Sequence, residues 1–462
     1  MFSKSWALTT AAVAVSPLTK PAVPPTCLST RYWTPWKRRN WLHIQTTVHH
    51  LESFHRHSEY AVSYVSSHTA CEFDLDYFDA VLIHYSVRIC FPGFLSPSFA
   101  KALRSYRGVK ALMLQDEYDA TDAACKAIED MGIGVVFTCV PEPYIHAVYP
   151  RERFSHVEFV NVLTGYVPSD LSALPPCKPV RDRSIVIGYR GRTNHFWYGD
   201  LGQEKVEIGR RMKAICDELG LKTDIAWREE DRIYGDDWFR FLGCCKATLG
   251  TESGSNVFDR NGSIARNIQN ELAKNPAATY AEVRAKYLDG VEGRIVMNQI
   301  SPKFFEAIAC GTALILFEGR YSGVLEPDKH FVPLKKDFSN VDDVLRRVQD
   351  DAGLEAMTRR AFQDVIASGK YSYQAFVRLV DAALSRHVKP DRTSPSDPWL
   401  PLPPCDALPA FRNRYQRHFR AQPWRRVWQR LPAPLRSALS LTRNRHRLRK
   451  LWAASRALLL LK

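Results

Sequence analysis

Two successive series of short β-rich runs alternating with helical stretches limit what this chain can fold into. The first series has a helical pattern near 44–56, the strand-like YAVSYV and FDAVLIHYS, and a helix near 97–106. KALMLQ, a helix near 120–130, GVVFTCV, a helix ending by Tyr149 and the β-rich VEFVNVL complete it. Strands separated by helices of this length are joined by crossovers, so they pair in parallel. The Pro-rich bridge SDLSALPPCKP then marks a boundary, and the alternation starts again. RSIVIGYRG reads as a strand, QEKVEIGRRMKAICDEL as a helix with Gly220 beyond its end, LKTDIA as a strand, WFRFLGC as a helix and KATLGTESG as a strand with a Gly/Ser-rich exit. Residues 260–295 form a polar, helical insertion. FVPL, DVLRRVQD, MTRRAFQDVIASG and the helix YSYQAFVRLVDAALSRH close the unit. The expected class is α/β: Rossmann-like domains over 31–168 and 180–388, with a ligand crevice between them at the carboxyl ends of their strands.

Flanking segments differ in composition. Residues 1–30 carry Pro and read as a disordered extension. Within them WALTTAAVAV has the length of a signal h-region, far short of the ~20 apolar residues that span a bilayer. Export through that segment is the alternative to a cytoplasmic protein. Residues 390–409 are a stiff Pro-rich linker, and 410–462 a basic tail whose Trp, Phe and Leu recur at helical spacing with Arg between them. The chain holds 64 Lys and Arg against 49 Asp and Glu, and 15 of the bases, with no acid, lie from Ala407 onward. The preceding 406 residues are therefore neutral, and the high basicity gives no reason to expect a nucleic-acid groove in the fold. Eleven Cys lie in apolar patterns (Cys139, Cys244, Cys245, Cys310) without the spacing of a zinc site or a small disulfide scaffold, and read as reduced, buried thiols.

Ser301–Leu325, SPKFFEAIACGTALILFEGRYSGVL, carries the chemistry: a short helix bearing Glu306 runs through Gly311 into an apolar strand. Free N–H groups and the positive dipole end at such a helix start attract anions, a diphosphate among them. Glu306 to Thr312 resembles the C-terminal donor site of GT-B glycosyltransferases of the group-1 (family-4-like) type, whose signature reads roughly E-x7-E-A-x-A-C-G-T. Other landmarks follow in the family's order. FDAVLIHY puts His84 at the end of a strand, as in D-V-V-H-x-H. TGYVPSDL echoes N-G-V-D-x-x-x-F at the interdomain junction, and IVIGYRGR ends in Arg192, with Lys205 beyond it. Where the family has its first Glu this chain has Asn298, and NQISPKFFEA fits the CgeB-type (spore-maturation-like) branch better.

The resemblance implies a GT-B glycosyltransferase taking a UDP- or GDP-type sugar nucleotide, without a metal or other cofactor, to a glycan, lipid-linked or protein acceptor. Arg192, Lys205 and the dipole of the helix after Pro302 would neutralise the leaving diphosphate. Glu306 would accept hydrogen bonds from ribose hydroxyls, and Ser322 and Gly323 would approach the donor. Glu252, on GTESGS, is the candidate for the negative charge that Asn298 lacks. An inverting route would need a general base, for which His84, Asp116 and Glu117 are the candidates. A GT-B-like nucleotide-sugar epimerase or hydrolase is the enzyme alternative, and a non-catalytic binding protein on a GT-B body is the other.

Each site also has a plainer reading. Glu306 can favour its helix's first turn, Arg192 can pair on the surface, and His84 can be a satisfied buried imidazole. In QDEYD, Asp119 can cap the next helix. Asp74 and Asp76 form a D-x-D like the metal motif of GT-A enzymes, but they precede their strand, so no metal site is expected there. The tail from 407 to 462 suits the surface of an anionic membrane, aromatic side down and guanidinium up; nucleic acid and a solvated tail compete with that reading. A cytoplasmic protein, peripheral at the inner face of the membrane, is the resulting expectation.

Overall fold

The computed structural model describes residues 12–16, 45–65, 67, 71, 74–168 and 170–389. The expected linker at 390–409 and basic tail at 410–462 lie outside the described residues. Two α/β halves follow one another, each built on its own sheet. In the first, β1 (Ala12–Ser16), β2 (Ala61–Val65), β3 (Ala80–Ile83), β4 (Val109–Met113), β5 (Val135–Thr138) and β6 (Glu158–Asn161) are ordered β2-β1-β3-β4-β5-β6. The β3 to β6 run is parallel.

The strand β1 differs from the disordered extension expected over residues 1–30. It inserts antiparallel to both neighbours, Ala12 opposite Val65 on one side and Ile83 on the other. The alternating β-branched run AVAVS thereby fills a slot between two strands that would otherwise present unpaired edges. The helix expected to end by Tyr149 is short, the turn Glu142–Tyr144 running into Ile145–Val148, and a separate turn, Arg151–Phe154, follows Pro150, which has no N–H to continue the ladder.

The second sheet holds β7 (Ile185–Arg190), β8 (Thr223–Ala226), β9 (Cys245–Gly250), β10 (Ala313–Phe317) and β11 (Val332–Leu334) in the order β11-β10-β9-β7-β8. All neighbouring pairs are parallel. Strand β10, ALILF, is buried throughout, as a central parallel strand must be when helices cover both faces. Its Ile315 packs with Ile208 and Met212 of the helix Gly199–Glu218 on one face. Leu314 and Leu316 pack with Phe305 and Ile308 of the helix Pro302–Ala309 on the other.

Contacts that join the halves include three sets among the described residues. The final helix, Tyr373–Ser385, packs back on the helix Gln45–His57 of the first half. There Asp381 accepts hydrogen bonds from Ser58 Oγ at 2.9 Å and Glu59 N at 2.8 Å. At the junction Thr164 Oγ1 donates to Ile300 O at 2.6 Å. The polar insertion, with helices Ser263–Lys274 and Tyr280–Tyr287 around a small core of Val257, Ile268, Val283 and Leu288, supplies the third. Its Asp259 N donates to Tyr118 O at 2.9 Å, and Ala120 N donates to Asp259 O at 3.0 Å. Among the described residues no helix is long and apolar enough to cross a membrane.

Candidate functional site

Strand order reverses between β7 and β9, so the crossovers leave from that point toward opposite faces and open a crevice beyond the strands' carboxyl ends. The chain leaves β7 through Arg190, Gly191 and Arg192. Arg190 is held by the fold, donating to Asp224 Oδ2 at 2.8 Å and lying 4.4 Å over the Phe241 ring. Gly191 is a steric requirement: a Cβ there would come within 2.7 Å of Lys205 O, so only glycine lets the β7 exit run against the following helix. That approach delivers Lys205 to the crevice, where its Nζ donates to Ser253 Oγ at 3.1 Å, beyond the end of β9.

A cavity of about 240 Å³ lies here, lined by Gly191, Arg232, Trp238, Lys303 and Glu306, with Thr46 from the first half. Lys303 and Glu306 stand three residues apart on Pro302–Ala309, hence on one helical face. Lys303 Nζ donates to Arg190 O at 3.1 Å and lies 5.7 Å from the centre of the Trp238 ring. Trp238 Nε1 donates to Glu306 Oε2 at 2.7 Å. A wider depression of about 500 Å³ beside Leu219 and Arg346 lies away from the strand exits and gathers both Asp and Arg. The smaller cavity is the one with convergent cations.

Burial pushes the Glu306 carboxyl up to about 7, against the pull of the Trp238 hydrogen bond and the Lys303 charge. Lys303 is open to the crevice on one side, yet the protein around it, with Arg232 and Lys205, holds its ammonium down to about 8. Lys205 is likewise lowered to about 8, first by burial and then by Arg192. Arg232 donates to Glu229 at 3.0 Å. Four cations, Arg192, Lys205, Arg232 and Lys303, thus repel one another around a pocket lined by Glu306, with Glu229 paired to Arg232 and Asp116 near Lys205. An anion entering it would relieve that repulsion.

Other residues expected at the site have different tasks. Glu252 is 5% exposed, and its carboxylate accepts from Asn298 Nδ2 at 2.6 Å, Arg320 N at 3.1 Å and Tyr321 N at 2.7 Å. It does sit beside Asn298, but it is occupied in holding the turn Tyr321–Gly323, whose three residues all have positive φ. Ser322 Oγ is committed as well, accepting from Ile300 N and donating to Gln299 Oε1, both at 3.1 Å. Gly323 completes this left-handed turn, with open space around its Cα. Asn298 keeps a buried Oδ1 with no protein partner. Gly311, expected at the donor, lies past the far end of the helix from Pro302. With φ 61° and its N–H donating to Ile308 O at 2.9 Å, it ends the helix.

The general-base candidates separate. His84 is 0% exposed, hydrogen-bonded to His50 Nδ1 through Nε2 and to Ser86 Oγ through Nδ1, both at 2.9 Å. Burial keeps it neutral, and it does not face the cavity. Glu117 points into the first half, accepting from Thr138 Oγ1, Cys139 N and Tyr149 OH, and burial raises its carboxyl to about 8. Asp116 is exposed and lies near enough to Lys205 to favour its charged form. Asp74 caps the turn Leu75–Tyr77 by accepting from Asp76 N, while Asp76 pairs with Arg107 at 3.2 Å. Among the described residues no group of His, Cys, Asp or Glu is arranged to hold a metal ion.

Sequence reading missed Lys303, Arg232 and Trp238. Lys303 had a signal, a base three residues before Glu306 on a short helix. Trp238 had none, because only the packing of Asp236–Cys244 beside Pro302–Ala309 brings its indole to the carboxylate.

No protein-family model and no curated protein matches the chain. Solved structures similar to it include sucrose-phosphate synthase from Thermosynechococcus elongatus, 11% identical over 67% of this chain and 73% of that one, with a TM-score of 0.40. An alpha-glucosyltransferase in complex with UDP-glucose and DNA containing an abasic site is 11% identical, covering 67% and 81%, with a TM-score of 0.38. HepE from Anabaena in complex with UDP and glucose is 12% identical, covering 67% and 78%, with a TM-score of 0.37.

Proposed function

We propose that the chain is a GT-B glycosyltransferase of the group-1 type, moving a sugar from a nucleotide donor to a glycan, lipid-linked or protein acceptor. The observation that carries this reading is the convergence of Arg192, Lys205, Arg232 and Lys303 with Glu306 at the β7/β9 switch point. In glycosyl transfer the bond to the anomeric carbon breaks as negative charge builds on the leaving diphosphate. Cations fixed in place beforehand stabilise that charge without reorganising. Lys205 and Lys303 would take this role with the N-terminus of Pro302–Ala309, so that side chains and a helix dipole meet the leaving group and no metal is called on. Glu306 would accept from ribose hydroxyls through Oε1, Oε2 being engaged by Trp238.

A ligand that binds only the folded protein raises its stability, by about 2.7 kcal/mol at a hundred times Kd. Thermal unfolding with UDP, GDP, ADP and dTDP conjugates tests the donor site, and a flat response to all four at millimolar concentration overturns it. Burial of His84 and Glu117 favours one second reading, a non-catalytic protein that binds a sugar nucleotide. It predicts a thermal shift without turnover, and a shift that survives Glu306→Ala.

For the basic segment 407–462 the proposal is an anionic membrane surface, which would place the enzyme peripherally on the cytoplasmic side. Sedimentation with anionic liposomes should pellet the full chain and leave a chain truncated before residue 407 in solution. Equal pelleting of both removes the membrane role.

A further inference from the structure

The Pro-rich bridge between the halves meets the helix carrying Lys303 and Glu306 at a pair of thiols. Cys177, in the bridge, is exposed, and Cys310, the first residue beyond Pro302–Ala309, is 2% exposed. Both sulfurs lie against the helix Asp236–Cys244, Cys177 Sγ donating to Pro175 O at 3.5 Å and Cys310 Sγ to Phe239 O at 3.9 Å, and the two thiols influence each other's titration. The bridge reaches this position because Gly243 faces it: a Cβ on Gly243 would stand 2.9 Å from Cys177 Sγ.

Arg183 lies beside the pair, 7% exposed. Its guanidinium donates to Lys178 O, Cys245 O and Thr312 Oγ1, each at 2.9 Å, and to Cys310 O at 2.8 Å. None of these acceptors carries a charge. The groups able to become anions around it are thiols, Cys177 foremost, followed by Cys310, Cys245 and Cys244. A buried cation without an anionic partner is costly, and a thiolate next to it removes part of that cost. Cys177 can provide one, since its sulfur reaches solvent. The Cys310 thiol beside it and the Arg183 charge lower its thiol pKa, with burial opposing.

We propose that Cys177 and Cys310 form an oxidant-sensitive dithiol, with the Cys177 thiolate as nucleophile, Cys310 as resolving thiol and Arg183 as the cation that sustains the thiolate. With a hydroperoxide as oxidant, the Cys177 sulfur attacks the terminal oxygen. The O–O bond breaks, and the leaving oxide takes a proton to become water, or an alcohol for an organic peroxide. Cys177 is then a sulfenic acid. The Cys310 sulfur attacks that sulfur, the S–O bond breaks, and the departing hydroxide takes the Cys310 proton and leaves as water. Two thiols have become one disulfide and the peroxide has been reduced. Thiol reductants reverse the step by exchange. The crosslink would tie the bridge to the far end of the Glu306 helix.

Cys244 is the internal control, an exposed thiol on the neighbouring helix of the same molecule. The full-length protein is treated with limiting hydrogen peroxide, alkylated and digested for peptide mass analysis. The expected product joins the Cys177 and Cys310 peptides with the loss of two hydrogens, is undone by dithiothreitol, and forms while Cys244 still alkylates. In the reduced protein iodoacetamide should modify Cys177 about tenfold faster than Cys244. Cys310→Ser should stop at a Cys177 sulfenic acid that dimedone traps, and Cys177→Ser should give neither product. Oxidation of Cys177 no faster than of Cys244, or a Cys177 disulfide with a cysteine other than Cys310, would overturn the proposal.

Discussion

Trp238 Nε1 donates to Glu306 Oε2 at 2.7 Å, so the carboxylate central to the candidate site is aimed by a neighbouring helix and not by its own. The same indole lies under Lys303, with Nζ 5.7 Å from the ring centre. One aromatic side chain thus positions both the acid and a base at the mouth of the cavity.

Glu306→Gln keeps the shape of the side chain but removes its charge and turns one acceptor into a donor. Hydrogen bonds to a charged group contribute about 1.5–3 kcal/mol, so affinity for the nucleotide sugar should fall about 10- to 100-fold by calorimetry. Trp238→Phe removes the N–H that orients Glu306 while keeping a smaller aromatic ring under Lys303, and should cost less. In the double variant the two losses should not add, because both act through one carboxylate. Additive losses would mean that Trp238 and Glu306 contact the ligand independently.

Donor affinity should depend on pH in a bell shape. Glu306, raised to about 7 by burial, offers both oxygens as charged acceptors only when ionised, so binding strengthens as pH rises through about 7. Lys205 and Lys303, lowered to about 8, lose their charge above that value, and binding of a diphosphate weakens there. Bound phosphate favours the charged ammonium groups and moves the upper limb to higher pH in the complex. Titration of UDP affinity from mildly acidic to mildly alkaline buffer checks this. Glu306→Gln should flatten the acid limb alone, and a profile insensitive to that change counts against a role for this carboxylate.

Acid should unfold the first half through its buried histidines. His50 is held down to about 3 by burial and His49 to about 4, while His84 also lies well below the ordinary value. Their folded pKa values are depressed below the unfolded value of 6.5, so their contribution is present above about 6.5. It is lost as pH falls below that, because the unfolded chain takes up protons that the folded one refuses. Each such group steepens the loss by up to about 1.4 kcal/mol per pH unit. His50→Gln removes one titrating ring and can still hydrogen-bond to His84. Urea midpoints measured between about pH 6.5 and 5 should then fall less steeply than in the wild type, and an unchanged slope refutes the assignment.

Periodicity in the sequence located the alternation in both halves because burial imposes a local pattern on each element. ALILF reads as a central strand because all five of its residues are aliphatic or aromatic and Gly311 and Gly319 flank it. The segment Ala12–Ser16 escaped because AVAVS pairs with partners about 50 and 70 residues away, and no local pattern specifies that pairing. At the site, Glu306 was legible from its motif, and Lys205 less clearly from its place after the β7 exit. His84 and Glu117, two of the candidate bases, both turn into the first half, for a shared reason. A polar residue at a strand's carboxyl end can turn toward the crevice or back into the core, and the choice rests on distant partners, His50 and Tyr149.

Ala120 has φ 53° and ψ 45°, the left-handed region, just before the helix Thr121–Met131. A Cβ in that region costs roughly 1–2 kcal/mol. The conformation is held by the insertion: Ala120 N donates to Asp259 O at 3.0 Å, and Asp122 N donates to Arg260 O at 2.9 Å. Arg260 also pairs with Asp122 at 2.9 Å. Ala120→Gly removes the steric cost and adds about 0.5–1 kcal/mol of backbone entropy lost on folding, leaving a net stabilisation of about 0.5–1 kcal/mol. The sign depends on the strap being formed. If Asp259 and Arg260 do not hold Ala120 in solution, the alanine relaxes to an ordinary conformation, the glycine gains nothing, and the variant is less stable than the wild type. Urea denaturation of the two proteins distinguishes these cases, and a lower midpoint for Ala120→Gly would mean that the insertion does not bridge to the first half as described.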